Sequence, residues 1–213
     1  MSEDSNNFYL NKWTETYEMK LGSILIVETD FEAINNLLPY PSDELKTILK
    51  HSLKQLVKVT HFFVPNITIH QTIDEIFQTE KMDVQIIHPI TLTLKKLKEK
   101  NIKEVMVFGS AYTMQKGYVS KQFEQQGISV SFPNKADHLF IDACRKAIYN
   151  RKATDEMLNQ FNKILTNYAK KKTIILACTE HSIANKIFNA QVYDVATIQL
   201  KNAVDIYKNL QSK

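Results

Sequence analysis

Short apolar runs alternate with amphipathic helical stretches along nearly the whole chain, and this alternation constrains the fold more than any other feature. Ser23–Val27, His61–Pro65, Val84–Ile87, Val105–Ser110, Ile128–Pro133, the run ending at Cys178, and Gln191–Tyr193 read as strands. Between them, helical spacing is predicted over Ser42–Lys58, over a stretch carrying Ile69, Ile73 and Ile76, and over Thr91–Asn101, Thr113–Gly127, Phe140–Tyr149 and Thr154–Lys170. A helix beginning at Glu180 or Ser182 and a closing helix at Ala196–Leu210 complete the pattern. Strand-then-helix repetition joins parallel strands by helical crossovers, which is α/β architecture. Gly127 suits the left-handed position that ends a helix.

The composition removes several classes of function. Only 2 of the 27 basic residues are Arg, namely Arg145 and Arg151, and the net charge is +4. Arginine supplies most bidentate phosphate and base recognition, so nucleic acid is not an expected partner. The 4 glycines form no dinucleotide fingerprint and no phosphate-binding loop. The 2 cysteines give neither a disulfide framework nor zinc spacing, and the 6 histidines are scattered. No metal or cofactor is therefore expected. No apolar run has the length of a membrane span, and Met1–Asn7 is polar and acidic rather than leader-like. A reducing cytoplasm is the expected location.

Ligands in parallel α/β folds bind beyond the carboxyl ends of strands. Two such tips carry polar groups: Val64-Pro65-Asn66-Ile67-Thr68-Ile69-His70, and Ala177-Cys178-Thr179-Glu180-His181-Ser182. If two α/β halves face each other, these tips form opposite walls of one cleft. Helix N-terminal amides there favour carboxylates and lower the pKa of a cysteine at the tip. Cys178 is thus either a reactive thiol in a crevice or a buried structural cysteine. Thr68 and Thr179 either cap their helices or bind a ligand. Cys144 falls within a predicted helix and reads as a core residue.

In this order along the chain, the motifs resemble those of the aspartate/glutamate racemase family, the cofactor-independent amino-acid racemases. Pro65-Asn66-Ile67-Thr68-Ile69-His70 with Asp74-Glu75-Ile76 is similar to the first catalytic segment, commonly P-C-N-T-x-H followed by D-E-I. Val107–Met114 is similar to L-L-G-T-x-x-T-M, and Ala177-Cys178-Thr179-Glu180 to G-C-T-E. Val192-Tyr193-Asp194 with Ala203-Val204-Asp205 is similar to the closing F-D-T and A-V-D region. The resemblance implies two pseudo-symmetric α/β halves with parallel sheets and an active-site cleft between them. Residues 1–90 plus 196–213 would form the first half and 91–195 the second. It also implies a homodimer, chemistry independent of pyridoxal phosphate, and proton transfer at the α-carbon of an acidic amino acid or related dicarboxylate.

By that resemblance Cys178 is the catalytic acid/base, and Asn66, Ile67, Thr68, Thr179 and Glu180 surround the substrate. Two departures stand out. The first of the family's two cysteines is replaced by Asn66, whose amide is neither acid nor base, and the family's neighbouring asparagine is Ile67. The family's initial strand also has no counterpart, because Met1-Ser2-Glu3-Asp4-Ser5 aligns with the segment that follows it. The readings that remain are a racemase-like isomerase, a one-cysteine lyase such as a decarboxylase, and an inactive member that binds carboxylates or acts as a scaffold.

Overall fold

The computed structural model describes residues 25, 27, 29–56, 58–187 and 189–212. The strand expected at Ser23–Val27, and the N-terminal segment on which the expectation of a missing initial strand rests, lie outside these residues, apart from Leu25 and Val27, which are not in a strand. The described elements run α1 (Phe31–Leu37), α2 (Asp43–Leu53), β1 (His61–Phe62), α3 (His70–Thr79), β2 (Gln85–Ile86), α4 (Pro89–Glu99) and β3 (Glu104–Phe108). They continue α5 (Tyr118–Glu124), β4 (Ser129–Ser131), α6 (Lys135–Tyr149), α7 (Asp155–Ala169), β5 (Ile174–Leu176), α8 (Thr179–Ala184), β6 (Val192–Asp194) and α9 (Val195–Gln211).

The architecture is α/β with parallel sheets, as the alternation requires. β1 and β2 pair in parallel, with His61 opposite Gln85. The larger sheet has the order β4-β3-β5-β6 and is parallel throughout. Chain order reverses between β3 and β5, so the connections leaving their carboxyl ends run to opposite sides and leave a crevice. Gly109 follows β3 and Cys178 stands just past β5, so both lie at this switch point.

Alternation along β5 splits the core into two layers. Ile174 and Leu176 pack with Met106, Phe108, Ile141 and Phe161 on one face. Ile175 packs with Val105, Val107, Phe123 and Ile198 on the other. All three β5 side chains are fully buried, which accounts for the unbroken apolar run in the sequence. Full burial of each such side chain contributes roughly 1.5–3 kcal/mol. The smaller sheet rests on a third cluster of Leu45, Leu49, Phe62, Ile69, Ile73 and Ile76. Helix α9 bridges the two regions. Val195 and Ile198 pack into the core of the larger sheet, while Ala196, Leu200 and Val204 pack with Ile87 and Phe63.

Helix starts follow local chemistry. Ser42, Asn134, Thr154 and Asp194 each accept a backbone N–H of the first turn. Helix α1, capped by Asp30, has no counterpart in the sequence reading because it is too short to show a period.

The helix expected at Thr113–Gly127 begins only at Tyr118. Ser110 Oγ accepts the Thr113 N–H, and Thr113 Oγ1 donates to the Ser110 carbonyl. These local bonds hold the chain in a turn that competes with helix. At the other end Gly127 does adopt a left-handed φ of +75°.

Gly109 permits the turn after β3, since a Cβ there would overlap Thr113 Oγ1 and meet Thr113 Cβ at 3.0 Å. Gly109→Ala is therefore expected to lower stability by about 1–3 kcal/mol, the usual range for overpacking. The measurement is the urea midpoint of the variant against the parent. An unchanged midpoint would mean that the turn yields freely.

Candidate active site

The first wall of the crevice is built around Asn66. Its Oδ1 accepts the backbone N–H of Thr68 at 3.0 Å and of Ile69 at 3.3 Å. Its carbonyl accepts His70 Nδ1–H at 2.7 Å. Asn66 thus serves as the cap of the turn leading into α3, and Thr68 does not: Thr68 contributes an N–H to that cap. His70 is wholly buried. Its Nδ1 must carry the proton because a carbonyl only accepts, which leaves Nε2 as a lone pair without a partner among the described residues. The rings of His70 and His88 meet edge to face with centroids 4.8 Å apart.

The second wall is the β5 tip. Cys178 is the N-terminal flanking residue of α8, in extended backbone. Its thiol donates to Glu180 Oε2 at 2.8 Å. Helix-terminal amides were expected to lower its pKa; instead the thiol is pushed well above its usual range. Burial is the main cause, followed by the charge of Glu180 and its hydrogen bond to the thiol. Arg145 pulls weakly the other way. Cys178 is therefore a thiol at neutral pH. Cys144 is fully buried, whereas Cys178 keeps partial access to the crevice; the Cys144 pKa is raised to about 11 by burial alone, in keeping with a core role.

The walls touch. Thr179 Oγ1 donates to the Pro65 carbonyl at 3.0 Å, a bond between residues 114 positions apart. Thr179 therefore fastens the two tips together and does not cap α8, where no side chain caps. Gln199, buried on α9, donates from Nε2 to the carbonyls of Ile87 at 2.8 Å and Val64 at 3.5 Å. Asn66, Ile67, Cys178 and Thr179 line one small cavity together with Pro65, Pro89, Ala177, Val195, Ala196 and Gln199. Thr68 and Glu180 do not line it; Glu180 reaches it only through the Cys178 thiol. The cavity holds about 20 Å³, roughly one water. An amino acid enters only if the tips separate.

Some residues of the site were not singled out from sequence. Gln199 is a lone polar side chain on the apolar face of the last helix. Asp142 is another, on α6: its Oδ1 accepts the Ala111 N–H at 2.9 Å, and Arg145 and Lys146 neutralise it. Its charge pairs hold its carboxyl below the usual range despite burial. A polar residue within a buried helical stripe was the available signal for both. Asp74 accepts from Tyr118 Oη at 2.6 Å and lies 3.4 Å from His88 Nε2, tying α3 to α5. Among the described residues no cluster of three or more His, Cys, Asp or Glu could hold a metal. No described helix is long and apolar enough to cross a membrane.

No protein-family model matches the sequence, and no curated protein matches it. Solved structures are similar across the chain. An Asp/Glu racemase candidate from Yersinia pestis superposes with a TM-score of 0.75 at 20% identity, covering 95% of this chain and 94% of that one. An aspartate racemase homologue from Pyrococcus horikoshii gives 0.74 at 19% identity, covering 95% and 93%. The Picrophilus torridus aspartate racemase gives 0.68 at 15% identity, covering 95% and 90%. The chain therefore has the aspartate racemase-like α/β fold, with Cys178 and Asn66 on the same crevice of that fold.

Two expectations follow from the geometry. His70 and His181 are buried neutral, with pKa values lowered from 6.5 to about 3 and about 4 by burial. Their neutral forms support the fold above pH 6.5, and that contribution is lost as pH falls toward 4 and 3. Stability should drop by up to about 1.4 kcal/mol per pH unit per histidine over that window. Urea midpoints at pH 7, 5.5 and 4.5 measure the drop, and a flat profile would contradict neutral burial. Thr179→Val leaves the Pro65 carbonyl unpaired and should cost about 1 kcal/mol in the same assay.

Proposed function

We propose that this chain is a divergent member of the aspartate/glutamate racemase family whose crevice binds an amino acid or related carboxylate. In this reading Cys178 carries out proton transfer on one face of the α-carbon. The supporting observation is the placement of Cys178 and Asn66 on one crevice, with Glu180 bonded to the thiol at 2.8 Å. No pyridoxal phosphate is required by this chemistry. The halves would be 1–90 plus 196–213 and 91–195, and the functional unit a homodimer in the cytoplasm.

Glu180 carboxylate takes the proton of the Cys178 thiol. The thiolate then removes the α-hydrogen as a proton, forming a new S–H bond. The electron pair of the broken C–H bond spreads into the substrate carboxylate as an enediolate. Return of a proton from Cys178 to the same face restores the starting configuration. Asn66 on the opposite wall cannot supply a proton, so exchange without inversion is the natural outcome.

A second reading is supported by the raised thiol pKa. A group that stays protonated at neutral pH suits a lyase, where it need only donate a proton to a carbanion left by loss of carbon dioxide. A protein that binds carboxylates without turnover is the third.

Incubation in heavy water with L- and D-aspartate and glutamate distinguishes them. α-Hydrogen exchange of one enantiomer, without formation of the other, is expected, and Cys178→Ser should abolish it. The exchange rate should keep rising past pH 9, because the thiol pKa lies above its ordinary value. Asn66→Cys should add racemisation. Absence of exchange in a panel of amino acids removes the proton-transfer reading.

A further inference from the structure

We infer that Asn66 is an oriented hydrogen-bond donor for the developing negative charge, converting the wall that would hold the second base into a charge-stabilising wall. The inference rests on the carboxylate-binding reading above and assigns this residue a specific task. A side-chain amide has one acceptor atom and one donor group. The acceptor, Oδ1, is held by two backbone N–H groups at 3.0 and 3.3 Å. Only an oxygen can accept both, so the orientation of the amide is fixed by the turn. The main chain of Asn66 is held as well, because its carbonyl takes the proton of buried His70 at 2.7 Å.

What remains is Nδ2, with two hydrogens and no partner among the described residues. The residue itself lines the crevice opposite Cys178. Both engaged bonds withdraw electron density from Oδ1 and strengthen the donor end of the same amide. A free rotor would lose freedom on binding charge; this one is already fixed, which is the condition for electrostatic stabilisation without reorganisation. When the C–H bond breaks toward Cys178, the electron pair moves onto the carboxylate oxygens. Nδ2–H donates to one of them, and no bond to Asn66 forms or breaks.

The test separates this task from mere support of the turn. Ser and Asp both cap helix starts about as well as Asn, so Asn66→Ser and Asn66→Asp should unfold within a few degrees of the parent. Ser keeps one hydroxyl hydrogen but on a side chain too short to place a donor where Nδ2 sits, and Asp replaces the donor with an acceptor of like charge. Malonate and L- and D-aspartate are titrated into each 15N-labelled protein and followed by proton–nitrogen NMR. The Asn66 Nδ2 pair in the parent should shift with the anion and saturate with the binding curve. Binding should weaken about tenfold in the Ser variant, equivalent to about 1.4 kcal/mol, and further in the Asp variant.

If the anions bind but the Nδ2 resonances stay still, or the Ser variant binds as well as the parent, the donor role is overturned while the carboxylate site stands. If none of the three anions binds the parent and no α-hydrogen exchanges, the carboxylate site is overturned and the donor role with it. A purely structural Asn66 predicts that thermal stability and binding fall together; retained stability with lost binding supports the donor.

Discussion

One backbone carbonyl that follows β1 decides the state of the crevice. Pro65 presents it to the Thr179 hydroxyl at 3.0 Å. The Val64 carbonyl beside it already accepts the Asn66 N–H at 2.9 Å within its own turn, and Gln199 approaches it only at 3.5 Å. The Pro65 carbonyl lies past the strand and has no ladder partner, so the second tip supplies its donor. That bond joins the tips that carry Asn66 and Cys178, and the space they line is about the size of a water. On the proposed reading, ligand binding and opening of the tips are one event: a carboxylate must compete for polar groups that now satisfy each other. One hydrogen bond of about 1 kcal/mol is a barrier that ordinary binding energy exceeds.

The thiol shows which electrostatic effect dominates at the tip. Favourable interaction of a charge with a helix N-terminus is typically 0.3–1 kcal/mol, and α8 spans only Thr179–Ala184. Burial can move a titrating group by as much as 3–5 pH units, each worth about 1.4 kcal/mol. Desolvation wins, and Glu180 adds repulsion between like charges. The helix terminus orients the thiol without ionising it. Under the proposed function such a thiol needs its proton taken by a neighbour at the moment of reaction, and the Glu180 carboxylate at 2.8 Å is placed to take it.

Much of this was legible in the sequence because it rests on periodicity. The β5 run was found because a strand buried on both faces cannot tolerate polar residues, and the crevice because ligands collect where such strands end. Three things were not legible. The delay of α5 to Tyr118 depends on hydroxyl-to-backbone bonds at Ser110 and Thr113, which compete with a helix of the same apolar spacing. The roles of the two threonines depend on which carbonyl lies nearest in space, and Pro65 lies 114 residues from Thr179. The direction of the Cys178 shift depends on how deeply the tip is covered, which no local motif records.

If the chain is a divergent racemase, as proposed, asparagine at position 66 is a change in what the wall does rather than damage to it. A decayed position would be expected to lose its contacts in step with its chemistry. Here the side chain is tied by two backbone amides and its carbonyl by a buried histidine ring whose other nitrogen has no partner among the described residues. His70 accepts the desolvation of its Nε2 lone pair to make that one bond, a burial cost of order 1–3 kcal/mol. An arrangement that sustains such a cost to fix one loop residue holds that loop against displacement. Rigidity of this kind has little value for a turn exposed to water, but considerable value for one that must meet charge appearing on a substrate. Under the proposed function the chemistry divides between the walls: the sulfur side would move the proton, and the amide side would receive the charge.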